Sequence, residues 1–119
     1  MDLYFEYHGN MKSKLIVTAL SALAQETRLA IFRLLVTMGP EGMTPGKIAE
    51  RLGLPAATLS FHLKELNHAG LIVSRQESRF IYYSADYKAM NKLIAFLTEN
   101  CCAGSPCEAS SAEICEPAK

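Results

Sequence analysis

Two helix-period stretches stand almost end to end in this chain, parted by only three residues, Gly53-Leu54-Pro55. Thr44 and Pro45 open the first stretch. A threonine hydroxyl can cap the free backbone N–H groups of a first turn, and proline suits the first helical position because its missing N–H is not needed there. Ile48, Ala49 and Leu52 supply its inner face, and Gly53 can end it in a left-handed conformation. Pro55 opens the second stretch, where Leu59, Leu63 and Leu66 recur at helical spacing along one side. Ala69-Gly70 closes it. Two short helices joined so tightly must cross steeply, as in a helix-turn-helix.

After Gly70 the apolar period changes from 3.6 to 2. Residues 71–75, LIVSR, read as a strand, 76–78 as a turn, and 79–84, RFIYYS, as the return strand rich in aromatic and β-branched residues. The turn lacks Asn-Gly, so its type stays open. Upstream, residues 11–39 carry two helical segments. Leu15, Ile16, Ala19, Leu20 and Leu23 mark the first. Gln25 to Arg28 interrupt the apolar run, and Leu29, Ile31, Phe32, Leu34, Leu35 and Val36 mark the second. Gly39-Pro40-Glu41-Gly42 is a stop. From Asp86 to about Asn100 a closing helix carries Met90, Leu93, Ile94 and Leu97 on one face. The pattern predicts a mainly α fold with a β-hairpin wing, a winged helix-turn-helix. It divides into an extension at 1–10, a domain at 11–100 and a cysteine-bearing tail at 101–119.

The 119 residues fit one domain, and the formal net charge is zero. The charge is uneven: residues 11–100 hold eleven of the twelve Lys and Arg but seven of the twelve Asp and Glu. A basic body with acidic ends is compatible with nucleic acid, and equally with an ordinary solvated surface. The first ten residues lack the basic start and apolar run of a secretory signal. No apolar stretch approaches ~18 residues, so no membrane partner is expected. All four cysteines, Cys101, Cys102, Cys107 and Cys115, fall in the last nineteen residues. A stapled secreted fold spreads its cysteines through the core, so this distribution points to a cytoplasmic protein with a thiol cluster on its tail. Neither G-x-G-x-x-G nor H-E-x-x-H occurs, and no cysteine lies in a phosphate-cradling loop. A thiol-dependent enzyme is therefore disfavoured, and no organic cofactor is expected.

The helix after Pro55 is the candidate reader of DNA. With its leucines inward, Ala56, Ala57, Ser60, Phe61, Lys64 and Asn67 turn outward or to the flank. Small residues such as Ala57 allow close approach to base edges, and Thr58 and Ser60 can exchange hydrogen bonds with bases or phosphates. Lys47 and Lys64 would neutralise phosphates. Arg75 and Arg79 flank the expected hairpin turn, where a wing could reach a groove or the backbone. The first and last helices present more apolar surface than one small domain covers. Leu15, Ile16, Ala19 and Leu20, with Met90, Leu93, Ile94 and Leu97, are the candidate homodimer interface.

Residues 25–35, QETRLAIFRLL, resemble the second-helix signature of the ArsR family of metalloregulators. Residues 54–70, LPAATLSFHLKELNHAG, are similar to its recognition helix, and 71–84, LIVSRQESRFIYYS, to its wing. The resemblance covers roughly residues 15–100. It implies a dimeric repressor of double-stranded operator DNA that lets go when a toxic metal or metalloid binds. It places Thr58, Ser60 and Phe61 where the family touches DNA, although Phe61 departs from the polar or basic residue usual there. Phe61 can meet a thymine methyl or pack inward. His62 matches the family's histidine, and a hydrogen-bonded, half-buried role suits it better than a ligand role.

Two sensor positions used in the family are absent. Residues 44–54 hold no cysteine, and the last helix has Asp86 but no histidine, which argues against a zinc sensor. What remains is Cys101-Cys102 with Cys107 five residues on. Thiolates are soft donors, and zinc would want four ligands from better-spaced pairs. Trivalent arsenic forms pyramidal thiolates with two or three sulfurs, and NCCAGSPC resembles the arsenic-binding tail of some ArsR repressors. Arsenite gains from a third thiolate, whereas methylarsenite needs only two. Cys107 therefore separates the two ligands, antimonite being a further candidate effector, and Cys115 is spare. The sulfurs could come from one chain or from both. A redox switch at the same thiols, incidental surface cysteines, and a winged helix that docks protein rather than DNA are the competing readings.

Overall fold

Gln25 turns the chain sharply rather than merely interrupting it. Its side-chain oxygen accepts the Arg28 backbone N–H at 2.8 Å, so residue 25 caps the second helix and Glu26 to Arg28 lie inside it. Glutamine is a rare cap, which is why spacing alone placed this start too late. The computed structural model describes residues 6–104 and, from residue 12 onward, their side chains. It contains α1 (Glu6–Leu23), α2 (Glu26–Met38), α3 (Pro45–Leu52), α4 (Ala56–His68), strands β1 (Ile72–Glu77) and β2 (Phe80–Ala85), and α5 (Tyr87–Leu97), followed by a short 3-10 turn, Cys101–Gly104. Helix α1 begins five residues before the expected Met11, and α5 ends three residues before the expected Asn100. Among the described residues no single helix is long and apolar enough to cross a membrane, and α1 and α2 bend away from each other by 102°.

The caps of α3 match the sequence. Thr44 Oγ1 accepts the Lys47 N–H, Pro45 is the first helical residue, and Gly53 closes the helix with φ of 64°. Asp86 caps α5 by accepting the N–H groups of Lys88 and Ala89, each at 3.1 Å. The core forms where α2, α3, α4 and the base of the hairpin meet. Ile31, Leu35, Ile48, Leu59, Leu66, Leu71 and Ile72 are all but fully buried there. Each such side chain contributes about 1.5–3 kcal/mol relative to exposure.

The hairpin is longer than its alternation suggested. Strands β1 and β2 pair antiparallel from Ile72↔Ala85 to Glu77↔Phe80, which leaves Ser78 and Arg79 as a two-residue turn. Ser78 has φ of 62° while Arg79 stays negative, the sign pattern of a II′ hairpin turn. A third, one-residue rung was not legible in sequence. Met43 and Tyr83 exchange backbone hydrogen bonds at 2.9 and 2.8 Å, fastening the wing to the loop before α3. Gly42 makes that approach possible, because a Cβ there would lie 2.3 Å from the Tyr83 carbonyl oxygen. The Tyr87 hydroxyl donates to the Val36 carbonyl at 2.9 Å, and Asp86 N–H donates to Leu71 at 2.9 Å. These bonds fix where α5 leaves the hairpin and satisfy a carbonyl at the end of α2.

Candidate functional site

Helix α4 places its leucines in the core and turns a mixed polar face outward. Ala56, Ala57, Thr58, Ser60, Phe61, Lys64 and Asn67 are all exposed, and none of them is acidic. Phe61 points outward with 55 % of its surface exposed, which settles the choice between outward and inward packing. Lys47 is exposed on the first turn of α3. Pro45, Gly46 and Ala49 of α3, Ala56, Ser60 and Leu63 of α4, and Tyr83 of the wing line a shallow notch between the elements. Small residues on both helices keep that notch open.

The two wing arginines part company. Arg79 sits in the turn itself, exposed at the hairpin tip. Arg75, expected to flank the turn, lies instead within β1 opposite Tyr82. Its guanidinium donates to Glu77 Oε2 at 2.9 Å and to the Glu41 carbonyl at 3.0 Å, and stacks over the Tyr82 ring at 4.9 Å. The expectation for Arg75 is corrected on position. Strand β1 runs two residues further towards the turn than the apolar alternation reaches, and the Arg75 donors serve Glu77 in the wing and Glu41 in the loop before α3.

His62 is buried behind Phe61. Arg28 donates from Nη1 to His62 Nδ1 at 3.3 Å and from Nε to the Ala22 carbonyl at 2.7 Å. An arginine is always the donor, so Nδ1 holds the lone pair and the imidazole is neutral. Burial pushes the His62 pKa below its usual value and Arg28 adds to that, against an opposing pull from Glu65. One guanidinium thus ties the end of α1 to α2 and α4. Its 34-residue separation from His62 left no signal in sequence.

The candidate dimer residues divide. Leu15, Leu20, Ile94 and Leu97 are 69, 40, 52 and 59 % exposed, whereas Ile16, Ala19 and Leu93 are buried. Met90 packs on the core. The eight do not form one exposed face, because α1 already packs on α4 and on α5. A groove between them is lined by Lys12, Leu15, Ile16, Lys92, Ala95 and Phe96. Across its end Lys12 reaches Glu99 at 4.0 Å and the Phe96 ring at 5.8 Å.

Cys101 and Cys102 are exposed in the turn beyond α5, with their sulfurs 3.7 Å apart. Two thiolates about 2.3 Å from one ion, at right-angled to tetrahedral geometry, lie about 3.3–3.8 Å apart, so this pair can share a soft ion. The backbone here is unusual: Asn100, Cys102 and Ala103 have φ of 55°, 57° and 59°. Left-handed conformations cost an L-residue about 1–2 kcal/mol, asparagine excepted. Cys102 is disulfide-bonded in this structure, so ion binding concerns its reduced form. Among the described residues no three His, Cys, Asp or Glu side chains are grouped to hold a metal. Cys107 and Cys115 lie outside the described residues.

A family model described as a helix-turn-helix domain matches residues 23–75. The uncharacterised HTH-type regulator YceK of Bacillus subtilis is 41 % identical over 63 residues, covering 53 % of this chain and 62 % of that protein. Nodulation protein NolR of Rhizobium meliloti is matched over 63 % of its own length, so the chain spans under two thirds of these two relatives. The HTH-type regulator YgaV of Escherichia coli is 34 % identical over 83 residues, 70 % of this chain and 82 % of that one. Among solved structures, NolR from Sinorhizobium fredii superposes with a TM-score of 0.64 at 32 % identity, over 83 % of this chain and 94 % of its own. An ArsR-like regulator from a Rhodococcus gives 0.68 at 25 %, covering 91 % and 96 %. A structure described as a possible regulator for arsenical resistance gives 0.58 at 32 %, covering 66 % and 79 %. A tightly joined α3–α4 pair, a wing pinned to the loop before α3, and these likenesses lead to one conclusion: the chain belongs to the ArsR-like family of winged helix-turn-helix transcriptional regulators.

Proposed function

We propose that this chain is a homodimeric repressor that grips operator DNA through α4 and releases it when a trivalent arsenical joins the tail thiols. The observation that carries the effector reading is the Cys101–Cys102 sulfur pair, 3.7 Å apart at the end of α5. Each As–S bond forms as a thiol proton leaves with an arsenic-bound hydroxyl as water. Two such bonds satisfy methylarsenite. Arsenite or antimonite takes a third sulfur, assigned to Cys107 of the same or the partner chain. The arsenical-resistance description of one structural neighbour supports the same ligand class.

For DNA, support comes from the exposed residues of α4, none of them acidic, from exposed Lys47, Lys64 and Arg79, and from small residues where bases would approach. The occupant proposed for exposed Leu15, Leu20, Ile94 and Leu97 is a second copy of the chain, which would pair two reading helices on an inverted repeat. Closing the tail on arsenic pulls the end of α5 and alters the dimer angle. Coupling of about 1–3 kcal/mol weakens operator binding by about 5–150-fold.

The test is an operator-release titration under thiol reductant with methylarsenite, arsenite, antimonite and zinc. Methylarsenite should release wild-type protein, and Cys101→Ser and Cys102→Ser should each abolish release while leaving binding intact. Cys107→Ser should abolish the arsenite response alone. Unchanged release by both Cys101→Ser and Cys102→Ser overturns the effector site. A thiol-oxidation switch has its own support in the Cys102 disulfide. Release by a mild oxidant, with no response to arsenicals in reductant, selects it instead.

A further inference from the structure

Phe61 is out of place for a polar helix face. A phenylalanine in the second turn of α4 stands 55 % exposed beside Ala57, Ser60 and Lys64. Single exposed apolar residues are common and need no explanation by themselves. Three further observations set this one apart. The ring belongs to neither the core nor the apolar faces of α1 and α5, so the proposed dimer contact does not cover it. It is held: its edge-to-face contact with the His62 ring has centroids 5.3 Å apart and planes at 63°. His62 in turn is fixed by Arg28, whose other donor is fixed on the Ala22 carbonyl. The aromatic is therefore seated against a buried, hydrogen-bonded support rather than free to fold back over the helix.

The surroundings select the partner. Ala57 lies one turn before Phe61, and exposed Lys64 and half-buried Glu65 lie one turn after it, on the same stripe of α4. A methyl side chain, an aromatic ring and an ammonium in that order suit a surface that is polyanionic at its rim and offers a small apolar group within. In the major groove of DNA only one base presents such a group, the C5-methyl of thymine. A protein partner would call for a wider apolar patch, which residues 57, 60 and 64 do not supply.

We infer that Phe61 is a specificity-determining residue that reads a thymine C5-methyl in each half-site, with the Arg28–His62 pair holding its ring in place. The inference rests on the operator-binding reading, and the experiment separates the two. Preferred duplexes are selected by the full-length reduced chain from a random-sequence pool. Each thymine of the selected site is then replaced singly by deoxyuridine, which keeps every hydrogen-bonding group and deletes only the methyl.

Burying one carbon group against the ring corresponds to roughly a fourfold change in affinity. Wild-type protein should therefore lose about fourfold at one position per half-site, and more than tenfold when both symmetric thymines are changed. Phe61→Ala, whose fold is checked by circular dichroism, should bind thymine and deoxyuridine duplexes alike and keep its salt dependence. Phe61→Leu should keep a reduced preference for the methyl. Wild-type indifference to deoxyuridine everywhere, a selected site without a thymine common to both halves, or a preference that survives Phe61→Ala overturns the inference while leaving DNA binding standing. Equal loss of thymine and deoxyuridine duplexes by Phe61→Leu also overturns it. Failure of wild-type protein to enrich any duplex overturns the operator reading as well.

Discussion

The two ends of this molecule are built to different standards. At the proposed reading end, the wing is tied to the loop before α3 by paired backbone bonds, and α4 is tied to α1 and α2 through a part-buried guanidinium–imidazole contact. At the thiol end, among the described residues, a polar contact running from α1 to just beyond α5 is a 4.0 Å pair of charges more than half exposed. The chain there runs through left-handed residues. Local stability follows buried contacts and satisfied polar groups, so opening should be rarest around α4 and commonest beyond Leu97. In the proposed function, thiols that must move to close on a ligand sit at the softer end, and a helix whose register decides specificity sits at the stiffer one.

That contrast predicts a gradient of mutational cost. Leu66 is fully buried beneath the reading face. Leu66→Ala should cost about 2–5 kcal/mol by urea denaturation, the usual toll of an internal cavity. Arg28→Met should cost about 1–3 kcal/mol, because His62 Nδ1 and the Ala22 carbonyl both lose their donor. Arg28→Lys should recover little, since one ammonium cannot span both acceptors in the geometry of the planar fork.

The same contact sets a pH dependence. The folded pKa of His62 lies below the 6.5 of a free imidazole, so the unfolded chain takes up the proton first. Its contribution to stability is whole well above 6.5 and declines as pH falls through that value toward the folded pKa. Thermal melts between about pH 5.5 and 7.5 should show a steeper acid-side loss for wild type than for His62→Gln. Equal slopes would remove His62 from the reading end's account. The smallest effect belongs to Lys12→Gln, whose exposed pair with Glu99 is worth at most about 1 kcal/mol. A penalty matching that of Arg28→Met would erase the distinction between the two ends.

Much of this was legible from residue order. The Thr44-Pro45 start, the Gly53 stop, the inward leucines of α4 and the Asp86 start of α5 follow from local chemistry confined to a few neighbouring residues. What escaped depends on partners distant in sequence or on atypical caps. Gln25 does the work of a serine or aspartate, and Arg75 lies along the wing surface because Glu41 and Tyr82 are brought to it by folding. The division of the α1 and α5 faces into covered and open residues also escaped, since helical spacing records a stripe but not how much of it a neighbour hides. Phe61 was legible as an anomaly, and only the folded arrangement gives it a direction and a support.

The Tyr87 hydroxyl has a mechanical consequence. It clamps the base of α5 to the Val36 carbonyl, with Asp86 bonded to Leu71 beside it. The eleven residues of α5 extend from this clamp for about 16 Å, seated on the fold through buried Leu93, with the exposed Lys12–Glu99 pair beyond its far end. A swing of about 10° at the fulcrum carries the far tip through about 3 Å, roughly the separation of stacked bases along a duplex.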